Sequence, residues 1–345
     1  MGTIKTPLDS SCSPTDSNNP KAEPATTTTD DPSTDPANYP DALSVVSISL
    51  GSSIRDHETV AHLAGQDFIV RREGTDGDLD QLKRRLTELD ADPKVAAIGL
   101  GGTDLFLNAA DRTYWFREMK PLKKLVKNKA LVDGSGLKGL VEADIVRYLQ
   151  EDLKLDLNNK KVLVTSAVDR WGLAMAFDDA GADTDFADLY YVLGMRKILR
   201  SRKVLTRAVR IAAPIAVLLP FSWLYPSGSD HTKVPQRHAW TDKFYHEYDI
   251  LAGDYKYIAK HMPPDLDGTW VITNTTTAED IDFMRKNGVT KIITTTPRLK
   301  GRSFGTNVME ALLVASQGEK NALKPATYLS LLEKYDLRPS LTDFT

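Results

Sequence analysis

Short apolar runs alternate with amphipathic stretches from residue 42 onward. The apolar runs at 45–50, 95–100, 161–165, 270–273 and 291–294 have the length of buried strands. Between them lie stretches with helical spacing, such as Leu79, Leu82, Leu86 and Leu89. Because strands that alternate with helices form parallel sheets, the sequence predicts an α/β fold. We expect open, mostly parallel, doubly wound, Rossmann-like sheets in two subdomains.

The same pattern predicts further elements and a division into domains. Helices are expected at 58–64, 79–89, 137–153, 173–179, 278–286 and 307–316. The predicted organisation is a disordered tail (1–41), an N-terminal α/β substrate domain (42–155), a Rossmann-like dinucleotide-binding domain (156–318) with a basic and apolar insertion (196–240), and a C-terminal helical tail (319–345).

Composition excludes several classes of protein. The chain has 345 residues and a net charge of -3, so global charge gives no reason to expect a nucleic-acid partner. Its single cysteine, Cys12, lies in the tail, which rules out a disulfide framework or a cysteine nucleophile in the core. The first thirty residues contain no apolar run typical of a secretory signal, so we expect a cytoplasmic protein. The histidine spacings match no metal motif, and no metal is expected.

The insertion departs from the α/β pattern. Its first part is basic, with Arg196, Arg200, Arg202, Arg207 and Arg210. Residues 211–225 are then almost wholly apolar, but prolines interrupt this run and it is shorter than a membrane span requires. It could be a buried helix and loop, a lid, a contact of a homo-oligomer, or, through 196–225, a face resting on anionic lipid.

The loop after the strand at 161–165 is the expected position of a phosphate-binding turn. Ser166 and Arg170 could hold a phosphate, and Gly172 could allow backbone approach, while Asp169 lies in the same loop. About twenty residues later, Asp188 follows the next strand, where an acid can accept hydrogen bonds from a ribose. These residues are the candidate NAD or NADP site; the alternative is a structural turn with a surface ion pair.

Acidic residues beside glycines follow three strands of the N-terminal half. Asp76, Asp104 and Asp133 each lie where loops beyond a parallel sheet form a ligand crevice. Lys138 follows Asp133 closely, and a lysine–aspartate pair suits proton transfer to or from a hydroxyl. His57 is a further acid/base candidate. Each of these residues could equally be part of an ordinary turn or helix cap.

The segment 294–307 is the densest group of polar residues. Thr295 and Thr296 could contact a nicotinamide, and Arg302, Ser303 and Asn307 could bind a substrate. The guanidinium of Arg302 could hold a carboxylate through two hydrogen bonds.

The chain resembles the quinate/shikimate dehydrogenase superfamily. The resemblance rests on Asp133-Gly134-Ser135-Gly136 and its helix, followed by Lys161-Val162-Leu163-Val164, and on the segments 49–53, 166–170 and 301–311. It covers most of residues 44–318 and implies a substrate domain followed by a dinucleotide-binding domain. The chain departs from the family in its phosphate loop, 166–172, which lacks the glycine-rich motif, and in having Lys138 after Asp133 rather than before it.

Three functions follow from these patterns. The first is an NAD(P)-dependent oxidoreductase acting on a small hydroxylated or carbonyl acid, in which Asp133 and Lys138 handle the proton. The second is a non-redox enzyme acting on a phosphorylated or sugar-like substrate. The third is a peripheral membrane or scaffold protein that uses residues 196–225.

Overall fold

Two β-sheets form the framework of the protein, seen here in a computed structural model. The structure describes residues 35–220, 239–296, 298–299, 302–303, 305–337 and 339–345, without the side chains of 239, 298–299 and 302–303. The strands are β1 (Leu43–Ser49), β2 (His57–Leu63), β3 (Gln66–Gly74), β4 (Val95–Gly101), β5 (Phe106–Ala109), β6 (Arg112–Trp115), β7 (Ala130–Val132), β8 (Lys161–Val164), β9 (Asp183–Phe186), β10 (Ile250–Ala252), β11 (Trp270–Thr273), β12 (Lys291–Thr294), β13 (Arg298–Leu299), β14 (Arg302–Ser303) and β15 (Ser340–Asp343).

Helices connect most of these strands. They are α1 (Leu79–Ala91), α2 (Ser135–Glu151), α3 (Trp171–Asp179), α4 (Asp188–Tyr191), α5 (Arg202–Ala216), α6 (Ala239–Tyr245), α7 (Tyr255–Lys260), α8 (Ala278–Lys286), α9 (Thr306–Ser316) and α10 (Pro325–Lys334). Asp78 caps α1 by accepting two backbone hydrogen bonds, and Thr277 and Asp280 form a capping box at α8. The predicted starts of these two helices are thus set by local side chains.

The two sheets have different strand orders. The first runs β2-β3-β1-β4-β7, with β2 antiparallel to β3 and the other pairs parallel. The second runs β15-β12-β11-β10-β8-β9, with β15 antiparallel to β12 and the other pairs parallel. Strand order reverses beside β8, since β9 lies on one side of it and β10 on the other. The carboxyl ends of β8 and β10 therefore form a topological switch point, where ligand crevices occur in such sheets.

Both faces of each sheet are covered, because alternate residues of a buried strand point to opposite sides. In β1, Val46 and Ile48 pack with leucines of α1, whereas Val45 belongs to the cluster that contains Leu312 and Leu313 of α9. In the second sheet, Val162 and Val164 pack with α3, and Leu163 packs with the cluster of α6, α7 and α8. The fold is α/β, with two mostly parallel, doubly wound, Rossmann-like sheets, which confirms the sequence prediction.

One predicted helix is wrong. Residues 58–64 were expected to be helical, but 58–63 lie in β2, which forms a hairpin with β3. The turn between these strands contains Ala64 and Gly65 with φ of 57° and 73°. Two successive residues with positive φ are typical of tight hairpin turns, and they match the twist of the flanking strands. The helix was predicted from the local sequence of this short segment, which contains no information about its pairing with β3.

The C-terminal part of the chain crosses between the two sheets. Helix α9 packs on β1 and β4 of the first sheet, although it lies within the range predicted for the dinucleotide-binding domain. Residues 319–345, expected to be a helical tail, contain α10 and then β15, which extends the second sheet. Of the predicted tail 1–41, residues 1–34 lie outside the described residues, and Pro36–Asn38 form a single 3-10 turn.

Within the insertion, the structure describes α5 and α6 but not residues 221–238. Helix α5 buries Leu205, Val209 and Ala213 in the core that contains the β5–β6 hairpin. In the part of the chain that the structure describes, no helix is both long and apolar enough to cross a membrane.

Candidate functional site

Two adjacent helices carry most of the candidate site. Helix α2 begins after β7 of the first sheet and α3 begins after β8 of the second, and the two helices pack side by side. Gly172 at the start of α3 permits this approach, because an added Cβ would lie 2.9 Å from Glu142 Oε2 and 3.1 Å from Gly139 Cα. Gly172, expected to admit a pyrophosphate, thus has a packing role between α2 and α3.

Lys138 lies between acidic residues contributed by both sheets. Its Nζ atom is 2.7 Å from Asp169 Oδ1, in the loop after β8, and 3.9 Å from Asp104 Oδ2, in the loop after β4. Loops at the carboxyl ends of the two sheets therefore meet at this ammonium group.

Arg170 lies next to this lysine and is surrounded by carboxylates. Its Nη1 atom is 3.3 Å from Glu142 Oε1, its Nε atom is 3.3 Å from Asp169 Oδ2, and its Nη2 atom is 3.7 Å from Asp254 Oδ2. Asp254 follows β10 and caps α7 by accepting a hydrogen bond from the Lys256 backbone. Arg170 thereby links α2, the loop after β8 and the loop after β10 at the switch point.

These residues form one group that we call the charged crevice. Its members are Asp104, Lys138, Glu142, Asp169, Arg170 and Asp254. The Glu142 side chain is 2% exposed and that of Arg170 is 9% exposed, whereas Asp104 and Asp254 are each 26% exposed. The crevice therefore has a buried ion pair at its base and partly exposed carboxylates at its open edge.

Burial and neighbouring charges set the protonation of this group. Burial raises the pKa of Asp104 to about 7, against the opposing effect of Lys138, and the nearby Asp169 and Asp133 carboxylates add to the rise. Burial alone would lower the pKa of Lys138, but Asp169 and the other carboxylates outweigh it, and the pKa is raised. Near neutral pH the crevice thus holds a permanently charged lysine beside an aspartate that can either donate or accept a proton.

Asp133 has a different environment from the one expected. Its Oδ2 atom accepts a hydrogen bond from the Leu105 backbone at 2.7 Å, and its Oδ1 atom accepts one from the Ser135 backbone at 3.1 Å. The carboxylate is buried and holds the loop after β4 against the start of α2. The structure pairs Lys138 with Asp169 and Asp104, so Asp133 acts here by positioning the loop that carries Asp104.

The buried side chain of Asp188 holds the loop after β8 in place through hydrogen bonds. Its two carboxylate oxygens accept backbone hydrogen bonds from Ala167 at 3.1 Å and Val168 at 2.9 Å. Burial raises the pKa of Asp188 to about 6, partly offset by these hydrogen bonds. Ser166, in the same loop, is 2% exposed, and its hydroxyl has no hydrogen-bond partner among the described residues.

This arrangement does not fit a dinucleotide bound in the usual way. The backbone N–H groups that would face a pyrophosphate are occupied by Asp188, which would itself be the ribose ligand. Asp169 and Arg170 are engaged with Lys138, Glu142 and each other. A pyrophosphate would have to displace a buried carboxylate and approach a predominantly acidic crevice.

Two other predicted residues, Asp76 and His57, lie in the loop after β3 and at the start of β2. Asp76 accepts hydrogen bonds from the backbone and hydroxyl of Ser53 at 2.8 and 2.7 Å, and these bonds lower its pKa. Asp76 has φ of 50° and joins the loops after β1 and β3. The Nδ1 atom of His57, at the start of β2, lies 2.9 Å from the Arg55 carbonyl oxygen. The contacts of Asp76 are those of a turn residue.

The predicted site residues of segment 294–307 belong to different parts of the structure. Thr295 and Thr296 are buried after β12, and the Thr296 hydroxyl is 3.5 Å from the Asn274 carbonyl oxygen. Asn307 donates a hydrogen bond through Nδ2 to Ser47 Oγ at 2.8 Å, which fixes the start of α9 on β1. The side chains of Arg302 and Ser303 lie outside the described residues; their backbone forms β14, paired with β13.

Sequence reasoning missed Glu142 and Asp254. Glu142 lies four residues after Lys138 on α2, so the two share a helix face and the spacing was an available signal. Asp254 follows β10, a three-residue strand without a distinctive pattern, and no local signal pointed to it. Among the described residues, no three His, Cys, Asp or Glu side chains come together in a way that could hold a metal ion.

Comparison with solved structures finds only distantly similar proteins. No curated protein matches the chain. A protein assigned as a malic enzyme (malate oxidoreductase) is 12% identical, with a TM-score of 0.38 over 86% of this chain and 78% of that one. Methylenetetrahydrofolate dehydrogenase-cyclohydrolase of Trypanosoma brucei, solved with NADP, is 11% identical, with a TM-score of 0.31 over 87% and 90%. A solute-binding protein of Burkholderia graminis, solved with D-arabinose, is 10% identical, with a TM-score of 0.38 over 88% and 95%.

Two family models cover most of residues 44–344, with a boundary between β7 and α2. Residues 44–133 match a domain of unknown function, DUF8753, and residues 136–344 match a second one, DUF8754. Asp104 thus comes from the first domain, and the other members of the charged crevice come from the second. Because the second match spans more than half of the chain, the protein belongs to the DUF8754 family.

Proposed function

We propose that the protein is an enzyme that transfers a proton to or from a small hydroxylated or carbonyl-containing molecule in the charged crevice. The observation that supports this most directly is the position of Lys138, between Asp169 at 2.7 Å and Asp104 at 3.9 Å. General acid–base catalysis is most effective when the pKa of the catalytic group lies near the working pH, and that of Asp104 is about 7.

The residues have distinct roles in this proposal. Asp104 accepts a proton from the substrate, or returns it, because both of its protonation states are populated near neutral pH. Lys138 remains charged and stabilises the negative oxygen that develops on the substrate. Arg170 and Glu142 do not reach the open edge; their buried ion pair positions Asp169, which in turn fixes the lysine.

The charge of the crevice favours a polar, hydroxylated substrate over a phosphorylated one. Four carboxylates face two cations, and a carboxylate-rich site repels phosphate groups. The carboxylates and the Lys138 ammonium group instead offer acceptors and donors for hydroxyl groups. A neutral, sugar-like molecule fits these properties.

An NAD(P)-dependent oxidoreductase is the competing proposal. The strand order around β8, with its switch point, favours it, because dinucleotides bind at such points in related sheets. The occupied N–H groups of the loop after β8 favour the non-redox reaction. Since the two proposals require different ligands, one binding screen separates them.

The first test is a thermal-shift screen of the full-length protein with neutral sugars, sugar acids, hydroxy acids, NAD(H) and NADP(H). We expect at least one hydroxylated compound to raise the melting temperature, and neither dinucleotide to do so. A shift produced by NAD(H) or NADP(H), and by none of the hydroxylated compounds, would support the oxidoreductase and contradict the proposal.

The second test measures proton transfer with the ligand identified in the screen. Incorporation of deuterium from solvent at a substrate carbon, followed by NMR, should slow about a hundredfold or more in Lys138→Met and Asp104→Asn. Lys320→Met, at an exposed position on the surface, is the matched control and should exchange at the wild-type rate. Unchanged exchange in both crevice variants would remove these residues from the reaction.

A further inference from the structure

Helix α5 has two apolar faces. Leu205, Val209 and Ala213 point into the core, as do the corresponding positions of any surface helix. The opposite face, which we call the α5 outer face, consists of Val204, Ala208, Ile211 and Ile215. These positions follow the spacing of four, three and four residues that places side chains in one row along a helix.

The α5 outer face is exposed. Val204 is 48% exposed, Ile211 is 73% exposed and Ile215 is 63% exposed, and Leu218, in the turn that follows, is 58% exposed. Single exposed apolar residues need no explanation, but a continuous row of them marks an interaction surface. The loop before α5 adds Val192, Leu193 and Met195, which are also exposed.

A row of basic residues borders this face. Lys203, Arg207 and Arg210 each precede a member of the α5 outer face by one position, so they lie along one side of it. Residues 192–219 contain seven lysine and arginine residues and no aspartate or glutamate, within a chain whose net charge is -3.

Some of these basic residues form ion pairs with acidic residues of the protein. Arg210 lies 3.4 Å from Asp111, and Arg202 and Arg200 pair with aspartates near α3 and β9. Arg196, Lys197, Lys203 and Arg207 form no ion pair with any described residue, and all four are exposed. Among the described residues, this surface therefore presents positive charge without an acidic partner, beside apolar side chains.

We propose that the α5 outer face binds the surface of an anionic phospholipid bilayer. In such binding a helix lies in the plane of the interface, with apolar side chains among the acyl chains and basic side chains at the headgroups. Each basic residue near an anionic membrane strengthens this association. Pro214 and the length of α5 are compatible with a helix in the interface plane, which does not need to span the membrane.

A second copy of the chain is a less suitable partner for this face. Two α5 helices packed through their outer faces would bring the rows containing Lys203 and Arg207 into one interface. Residues 192–219 supply no carboxylate to pair with them, so like charges would be juxtaposed. Charge complementarity thus favours a negatively charged lipid surface.

The test is flotation of the purified full-length protein with vesicles. We expect the protein to float with vesicles of phosphatidylcholine mixed with phosphatidylglycerol, and only weakly with phosphatidylcholine alone. The double variants Ile211→Ser/Ile215→Ser and Lys203→Glu/Arg207→Glu should each reduce the bound fraction at least about tenfold. The charge variant should lose the difference between the two kinds of vesicle.

Controls distinguish a specific surface from general adhesion. Leu329→Ser on α10 and Lys320→Glu remove an exposed apolar and an exposed basic residue elsewhere, and should float as the wild type does. Failure to float with either kind of vesicle would overturn the proposal. So would a dimer, detected by analytical ultracentrifugation, that the Ile211→Ser/Ile215→Ser variant dissociates, because the face would then be covered by a second copy.

Discussion

Basic side chains lie in the charged crevice and also beside the α5 outer face, but only those of the crevice are enclosed by acids. Lys138 and Arg170 contact Asp169, Glu142 and two further carboxylates, whereas Lys203 and Arg207 on α5 have no ionic partner among the described residues. A buried charge without a partner is very unfavourable, while an exposed one is stabilised by water. Charge in the crevice is thus part of the folded core, and charge on α5 is available for binding.

The largest effect expected from this contrast concerns Arg170. Arg170→Met would leave Glu142 as an unpaired carboxylate with a 2% exposed side chain, which should lower the free energy of unfolding by about 3–5 kcal/mol. Arg207→Met on α5 is the matched control and should change it by less than about 0.5 kcal/mol. Urea denaturation measures both values, and equal effects would contradict the contrast.

The double variant Arg170→Met/Glu142→Leu sharpens the same test. Replacing both members of a buried ion pair by apolar residues is often close to neutral, because neither charge is then left unpaired. We expect it to recover most of the stability lost in Arg170→Met. If it is as unstable as the single variant, the loss comes from packing and not from charge.

A smaller loss of stability is expected when the hydrogen bonds that hold the loop after β8 are removed. Asp188→Ala removes the acceptor for the Ala167 and Val168 N–H groups, at a cost of about 2–3 kcal/mol. Asp80→Ala, at an exposed position, should cost less than about 0.5 kcal/mol in the same urea experiment. Unchanged stability together with weaker dinucleotide binding would instead assign Asp188 to a ribose.

The packing of α2 on α3 gives a comparison within the crevice. Gly172→Ala places a methyl group 2.9 Å from Glu142 Oε2, and we expect a loss of about 1–2 kcal/mol from the shift of the helices. Gly139→Ala adds the same methyl group with nothing within 4 Å, and should stabilise α2 by up to about 1 kcal/mol through helix propensity. Thermal melts of both variants should move in opposite directions.

The smallest effect is a dependence of stability on pH. The pKa of Asp104 is about 7 in the folded protein and near 4 in an unfolded chain, so the folded state binds more protons between these values. Stability should therefore rise as the pH falls from 8 to 5, with a contribution from Asp104 on the order of 1 kcal/mol. Asp104→Asn should reduce this rise, measured by denaturation at several pH values; an unchanged slope would show that other carboxyls are responsible.

The sequence predicted those parts of the fold that depend on local pattern. Continuous apolar runs identified β1, β4, β8, β11 and β12, since each is buried on both faces. The β10 and β15 strands and the β5–β6 hairpin were not predicted, because their residues become strands only by pairing with distant ones. The hairpin of β2 was misassigned for the same reason.

In the candidate site, too, local sequence predicted the individual residues but not the contacts between distant ones. Asp104, Lys138, Asp169 and Arg170 were identified as candidates, because polar residues that follow buried strands lie at the crevice edge. The pairing of these residues was not predicted, since the ion pair between Lys138 and Asp169 joins residues 31 positions apart. No local pattern distinguishes that pairing from the expected pairing with Asp133.

The hydrogen bond between Asn307 and Ser47 joins residues 260 positions apart, at the place where α9 covers the first sheet. During synthesis, the face of that sheet beneath α9 has no cover until residues 306–316 have left the ribosome. Contacts of such separation slow folding, because a very long loop must close before they form. The nascent chain therefore exposes one apolar face of its first sheet from the synthesis of β7 until that of α9, and during this interval we expect it to depend most on chaperones.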